Sequence, residues 1–416
     1  LRASAALRAS AALRASAARV PRVMRPSPET GAKALFFAYF AMTGAFAPYL
    51  ALYFAAVGLS ITQIGVLVAL PQLIRLGAPP FWGAMADRLG RRLPLLRLSA
   101  ALGLASAIAV GFAGGNYAAL LALLAIFYFA TSAQAPLAET IALAISGGES
   151  GRYGRIRMWG SIGFIGAVAA SGPLLDAAGI RTLPLTIAAM CVALLAVTWR
   201  VAEPPARHAG AGAPLARRLR EPAIAAFFAS CLLMQFAHAA LYGFYSLFLD
   251  GFGYTKTAIG GAWTVGVVCE IALFRMQRPL FERYGALALL SFSMAVAAAR
   301  FVLIAWGGGA WPVVILTQLM HAVTFGVHHS AVMALLHRWF EPAQQGRAQA
   351  LYTTLGYGGG GALGGLAAGW AWANLGPQAV FYGASAAAVL GWVAVAICRR
   401  FEYARPSIDA PADGTA

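Results

Sequence analysis

The sequence predicts an all-α membrane protein: twelve transmembrane helices in two pseudo-symmetric six-helix bundles. Three observations carry that expectation. Of the 416 residues, 60% are hydrophobic and only 11% charged, with a mean hydropathy of +0.71, whereas ordinary soluble domains carry roughly 25% charge. Twelve apolar runs approach or reach the ~20 residues that cross a bilayer. The second half of the chain also echoes the first at a constant offset of 195 residues. Helix is the form each run must take, because backbone polar groups in lipid have to be satisfied within the segment.

Residues 1–23 stand apart. LRASAALRASAALRASAARV repeats one hexad three times and carries no acid. It has the Arg-, Ala- and Ser-rich character of an organelle transit peptide, but the plainer reading is a start placed upstream of Met24. Residues 1–33 are therefore set aside as an N-terminal extension. An N-terminal bundle fills 34–200, with apolar runs at 34–57, 63–84, 93–113, 117–145, 156–176 and 180–200. The polar stretch 201–221 is rich in Pro, Gly and Ala, which suits a flexible linker between halves. A C-terminal bundle fills 222–400, with runs at 222–249, 257–277, 286–306, 310–338, 348–371 and 377–399, and 401–416 is a tail.

Charge placement orients these runs. Arg88, Arg91, Arg92, Arg97, Arg152, Arg155, Arg157, Arg278, Arg283, Arg338 and Arg347 fall on one side, and little beyond Arg181 and Lys256 on the other. By the positive-inside rule the first side is cytoplasmic, and with it the linker and both termini, in a multi-pass protein of the cell inner membrane. The net charge of +17 thus belongs mostly to short loops facing lipid headgroups, with part of the excess at Arg2, Arg8, Arg14, Arg19 and Arg22, and not to a nucleic-acid surface. Cys191, Cys231, Cys269 and Cys398 lie inside apolar runs at no metal-ligand spacing and read as small core residues.

The repeat is explicit at the second and eighth runs. ITQIGVLVALPQLIRLGAPPFWGAMADRLG (61–90) aligns with KTAIGGAWTVGVVCEIALFRMQRPLFERYG (256–285). Gly65 falls on Gly260, Arg75 on Glu270, Asp87 on Glu282, Arg88 on Arg283 and Gly90 on Gly285. Repeats in a helical membrane protein of this size point to a transporter, with its site near midplane where the repeats meet. The glycine run GYGGGGALGG (356–365) lacks the Lys-Ser/Thr of a phosphate loop and reads as a helix-packing surface. No cofactor is implied, and with no nucleotide motif an ion gradient must drive uphill transport.

Charged groups within apolar spans are costly and mark functional positions. Glu270, Arg300, His321, His328 and His329 lie in the eighth to tenth spans and His238 midway along the seventh. A carboxyl among imidazoles suits proton coupling, since desolvation favours holding a proton and a nearby cation favours its release. His321 and His328, seven apart, are expected on one helical face. Glu270 is either the proton carrier or half of a structural pair with Arg300 or a histidine. In the first half, Arg75 is a clamp for a carboxylate or a partner of Glu139, and Gln134 with Pro136 marks an amide beside a helix break. Tyr49 and Tyr245 are candidate aromatic contacts for solute, and His238 is either another or a packed core residue.

The stretch WGAMADRLGRR (82–92) resembles the loop signature of the major facilitator superfamily at Gly83, Asp87, Arg88, Gly90, Arg91 and Arg92, and FERYG (281–285) resembles its degraded second copy. There Asp87 is expected to meet a helix N-terminus. The superfamily resemblance also implies a monomer. GRIRMWGSIGF (154–164), AHAALYGFYSLF (237–248), GYTKTAIGGAWTVGVVCEIALF (253–274), HAVTFGVHHSAVMAL (321–335) and QALYTTLGYGGG (349–360) resemble the 3-phenylpropionate permease family of proton symporters. That resemblance implies proton-driven uptake of a small organic solute, an aromatic acid being favoured over the sugars and nucleosides of related permeases. Glu270, Arg300 and His321 also resemble the coupling group of the lactose permease family, with one departure: Thr324 and Phe325 stand where that family has a second acid one turn after its histidine. A drug/proton exporter is the competing reading, since the loop signature suits exporters too and Ser171, Gly172 and Pro173 partly match an exporter pattern. A membrane-embedded enzyme or receptor lacks any compact catalytic constellation, and no enzyme activity is expected.

Overall fold

The computed structural model describes residues 27–147, 149–203 and 215–403. The hexad repeat, Met24, most of the linker and nearly all of the tail lie outside the described residues. The helices in chain order are α1 (Pro28–Ala56), α2 (Ile61–Leu89), α3 (Leu93–Phe112), α4 (Tyr117–Ser146), α5 (Ser150–Ala178) and α6 (Leu183–Thr198), then α7 (Pro222–Asp250), α8 (Lys256–Met276), α9 (Ala286–Gly307), α10 (Trp311–Trp339), α11 (342–375) and α12 (Pro377–Tyr403). Among the described residues, eleven helices are long and apolar enough to cross a membrane. The remaining one, α11, is a continuous helical run whose glycines dilute its hydropathy. Three expected boundaries shift: α1 begins at Pro28, inside the expected extension; Ala216–Leu219, within the linker, forms a turn of helix; and α12 runs on to Tyr403.

Prolines break three of these helices beside the molecular centre. Pro79 and Pro80 have no N–H for the carbonyls of Arg75 and Leu76, so α2 divides into Ile61–Arg75 and Ala78–Leu89. In α1, Pro48 separates Pro28–Phe46 from Leu50–Ala56. The break expected near Pro136 is present in α4, between Tyr117–Thr131 and Gln134–Ser146. In the second half the stretch equivalent to α2 breaks later, at Gln277 just before Pro279, between α8 and the short helix Arg278–Tyr284. There α10 and α11 stay continuous and widen into π-helical turns at Ala322–Val327 and Thr353–Gly360.

Each half packs around its own helices: α1 against α5 and α6, and α7 against α11 and α12. Between halves the main contacts are α2 with α11 and α5 with α8, two pairs that the sequence repeat interchanges. Glycines set the closeness. A Cβ on Gly65 would lie 2.8 Å from the Cα of Gly369, and one on Gly172 2.8 Å from the carbonyl oxygen of Lys256. The α11 glycines pack likewise, Gly360 on the Leu232 carbonyl and Gly364 on that of Phe236, as a packing surface requires. At the same end as Gly172, Asp176 of α5 caps α8 across the interface. It accepts from the backbone N–H of Lys256 and of Thr257, both at 2.9 Å, and from the Thr257 hydroxyl at 2.6 Å. This end is closed. At the opposite, Arg-rich end, Ala78–Leu89, Gln134–Ser146, His328–Trp339 and Pro342–Tyr352 pack chiefly within their own halves.

The loop signature is placed at that Arg-rich end, with one correction. Gly90 takes the left-handed conformation (φ 62°) that terminates α2. Asp87, however, is exposed and has no hydrogen-bond or ion-pair partner among the described residues. The carboxylate at the neighbouring helix N-terminus is that of Glu203, which accepts from the N–H groups of Arg92 (2.6 Å) and Leu93 (2.9 Å). Glu203 follows α6 and reaches α3 through the bundle, so the local spacing of the motif could not indicate it.

Candidate functional site

A cavity of about 350 Å³ lies between the halves. The breaks in α1 and α2 form much of one wall, with Thr43, Phe46, Pro48, Pro71, Gln72 and Arg75; α7, α8 and α11 supply Gln235, Tyr242, Trp263 and Tyr357 on the other. Arg75 is the only charged residue of this lining. It sits at the last residue before the α2 break, its guanidinium over the ring of Tyr357 at 5.5 Å, a favourable cation–π placement. It makes no hydrogen bond or ion pair among the described residues, so the expected bridge to Glu139 is not formed. Glu139 is instead exposed.

Beside the cavity, within the second half, lies a buried polar cluster centred on Arg300, which is fully buried. Its Nε donates to the Thr317 carbonyl at 2.6 Å, and one terminal nitrogen donates to His321 Nδ1 at 3.1 Å and to the Thr324 hydroxyl at 3.0 Å. Since guanidinium only donates, His321 Nδ1 is an acceptor and the proton of the neutral ring sits on Nε2. That nitrogen faces Glu270, 3.9 Å from its carboxylate. His238 is ordered in the same way. Its Nδ1–H donates to the Met234 carbonyl at 3.0 Å, and its Nε2 lies 3.3 Å from the Thr324 hydroxyl, which also reaches the His321 carbonyl at 3.4 Å. Thr324, at the position where the resembled family has an acid, is thus the junction between Arg300 and His238. Gly266 of α8 makes the approach possible: a Cβ there would lie 2.8 Å from the Gln318 side-chain oxygen and 3.4 Å from His321.

Several candidate residues are not brought to this place. His328 does not share a face with His321. The π turn at Ala322–Val327 delays the helical register, so His321 stacks on Phe325 (5.5 Å) and Phe325 on His329 (6.2 Å), while His328 turns to Ser293 at 3.3 Å. Tyr49 is fully buried and donates to the Val168 carbonyl at 3.0 Å, a contact between α1 and α5 away from the cavity lining. Tyr245 packs on Trp263 and Phe381 in the core; Tyr242, one turn earlier, is the α7 tyrosine that lines the cavity. Gln134 is buried toward Gly103 of α3, and its amide has no partner among the described residues. Arg157, counted above as a loop charge, belongs to α5, 4.3 Å over the ring of Phe40 and 5.5 Å from that of Phe36. The signal for it was the apolar run that follows GRIR, which continues the helix back through the charged residues.

Similarity to known proteins agrees with this architecture. Residues 30–383 match the MFS_1 like family. Over 357 residues the chain is 30% identical to the "Probable 3-phenylpropionic acid transporter" of Escherichia coli (strain K12), covering 82% of this chain and 90% of that protein. Identity to the maltose permease of Geobacillus stearothermophilus is 30% over 333 residues, or 78% of this chain and 82% of that one. The fold superposes on the nucleoside transporter NupG with a TM-score of 0.76 at 18% identity, over 89% of this chain and 99% of that one. For the human organic anion transporter MFSD10 the TM-score is 0.60 at 17% identity, over 89% and 100%. With two six-helix halves, a cavity between them and a family match over most of its length, the chain belongs to the MFS_1 like family and is a multi-pass membrane transporter of the major facilitator superfamily.

Proposed function

We propose that this transporter is a proton symporter that takes up a small aromatic carboxylate, with Arg75 as the carboxylate anchor and Glu270 as the proton carrier. The observation that carries the reading is the unpartnered guanidinium of Arg75 in a cavity whose other polar lining groups are uncharged. A carboxylate offers that group a bidentate partner, and Phe46, Phe164, Tyr242 and Trp263 offer faces for an aromatic ring. The cavity is at the small end of the ~300–1,000 Å³ typical of small-molecule sites. Similarity to a protein named for 3-phenylpropionic acid supports the same class. Arg300 and His321 then hold a neutral imidazole N–H toward Glu270, so the carboxyl is the group that gains and loses the proton while His321 keeps its own. With the Arg-rich end cytoplasmic, both termini are inside the cell, in the inner membrane, and the closed end seals the outer face.

Uptake by purified protein in proteoliposomes tests this, with labelled 3-phenylpropionate, maltose and a nucleoside offered with and without an inward proton gradient. Gradient-driven accumulation of the aromatic acid alone is expected, and Glu270→Gln should abolish accumulation while leaving exchange of solute for solute. Accumulation of maltose alone would replace the carboxylate by a neutral sugar, the reading that the maltose permease similarity favours. Efflux under a reversed gradient with no uptake would make the protein an exporter.

A further inference from the structure

The cavity and the buried cluster share a side chain. Tyr242 lines the cavity with 37% of its surface exposed, and its hydroxyl has no hydrogen-bond partner among the described residues. One face of its ring stacks on Trp263, centroids 6.0 Å apart and planes 21° apart. The ring also meets His238 at 5.8 Å and stands edge-on to His321 at 6.5 Å. A solute touching the exposed ring therefore presses on the imidazole that faces Glu270.

The state of that imidazole gives the contact a consequence. His321 Nε2 carries the proton and lies 3.9 Å from the Glu270 carboxylate, beyond the 2.7–3.2 Å of a formed N–H···O bond. A small movement decides whether the bond is made, and an N–H bonds an ionised carboxylate more strongly than a neutral carboxyl. We propose that Tyr242 is the positioning residue that couples solute to proton in this site, a proposal that rests on the symport reading above. Solute against the ring keeps Tyr242 on His321 and the imidazole away from a protonated Glu270. Once solute leaves, the ring relaxes toward the cavity and His321 closes on Glu270. The carboxyl proton passes to water at the exposed edge of the Glu270 side chain, and the N–H of His321 stays in place to bond the carboxylate. By linkage, the same contact makes solute bind better to the protonated form.

The test compares Tyr242→Phe and Tyr242→Ala in proteoliposomes at saturating solute, reading the accumulation ratio under an imposed proton gradient and the protons moved per solute. In the alanine variant the accumulation ratio should fall by about tenfold, within the ~5–150-fold range of coupling between sites, and protons should leak without solute. KM for exchange should rise only a few-fold, from the lost ring contact. The phenylalanine variant keeps the ring and should retain the accumulation ratio. A second measurement is the solute-induced change in the carboxyl C=O infrared band that Glu270→Gln removes: present in wild type and Tyr242→Phe, absent in Tyr242→Ala. An alanine variant with the wild-type accumulation ratio and the wild-type infrared change would overturn the proposal, as would a phenylalanine variant as uncoupled as alanine. Wild-type protein that never accumulates solute with the gradient overturns the symport reading itself, and this proposal with it.

Discussion

Arg75 and Glu270 occupy equivalent positions in the repeat, one on α2 and one on α8, and their surroundings are opposite. Arg75 stands at a helix break, open to the cavity, with an aromatic ring beneath it and no polar partner among the described residues. Glu270 lies on an unbroken helix, 18% exposed, against a histidine that is itself held by a buried arginine. The backbone explains the contrast. Pro79 and Pro80 stop α2 at Arg75 and splay it into the cavity wall, whereas Gly266 lets α8 approach α10 closely enough to enclose Glu270. Equivalent positions of the repeat thus carry an accessible charge suited to a solute and a sheltered one suited to a proton.

The strongest way to break that division is to remove one charge at a time. Arg75→Gln should weaken apparent affinity for an aromatic carboxylate by roughly ten- to a hundredfold, the worth of a charged hydrogen bond of ~1.5–3 kcal/mol. Transport that remains should still be driven by protons. Equal losses of affinity and coupling in Arg75→Gln, measured as KM and accumulation ratio, would mean that the two positions act as one unit. A smaller effect is expected at the closed end, where Asp176→Ala removes three hydrogen bonds between the halves. Loss of a helix cap costs about 0.5–2 kcal/mol, enough to shift the open population several-fold. Spin-label distances between the closed ends of α5 and α8 should lengthen accordingly; an unchanged distribution would assign closure to the glycine contacts alone. The least effect is expected from His328→Asn, which keeps a donor for Ser293. Accumulation should stay near wild type and stability should fall by about 1 kcal/mol or less, read from thermal unfolding. A collapse of coupling in that variant would extend the proton site beyond His321 and redraw the comparison.

How far the residues could be read in advance depended on whether the pattern was local. The break near Pro136 could be read from the sequence, and the break at Pro79 and the glycine turn at Gly90 likewise depend only on neighbours a few positions away. Asp87 failed as a helix cap because the carboxylate that serves α3, Glu203, arrives from α6. His321 and His328 were paired on ideal helical spacing, and a π turn without proline or any other marker undid it. Tyr245 and Tyr242 are three residues apart on α7, and apolarity all round that helix gave no means of telling which face met the cavity.

Composition, run length and loop charge determined by themselves that this chain is a twelve-helix membrane protein in two repeated halves, because a bilayer allows an apolar segment one backbone form and water charges heavily for anything else. Which charges meet was decided only by the tertiary structure. Arg300 reaches His321, Thr324 and the Thr317 carbonyl through the packing of α9 on α10, and Tyr242 brings a ring edge from α7 to His321. Those contacts depend on helix rotation of a few tens of degrees and on approach distances set by single glycines. In a sequence apolar on every face, nothing local records either.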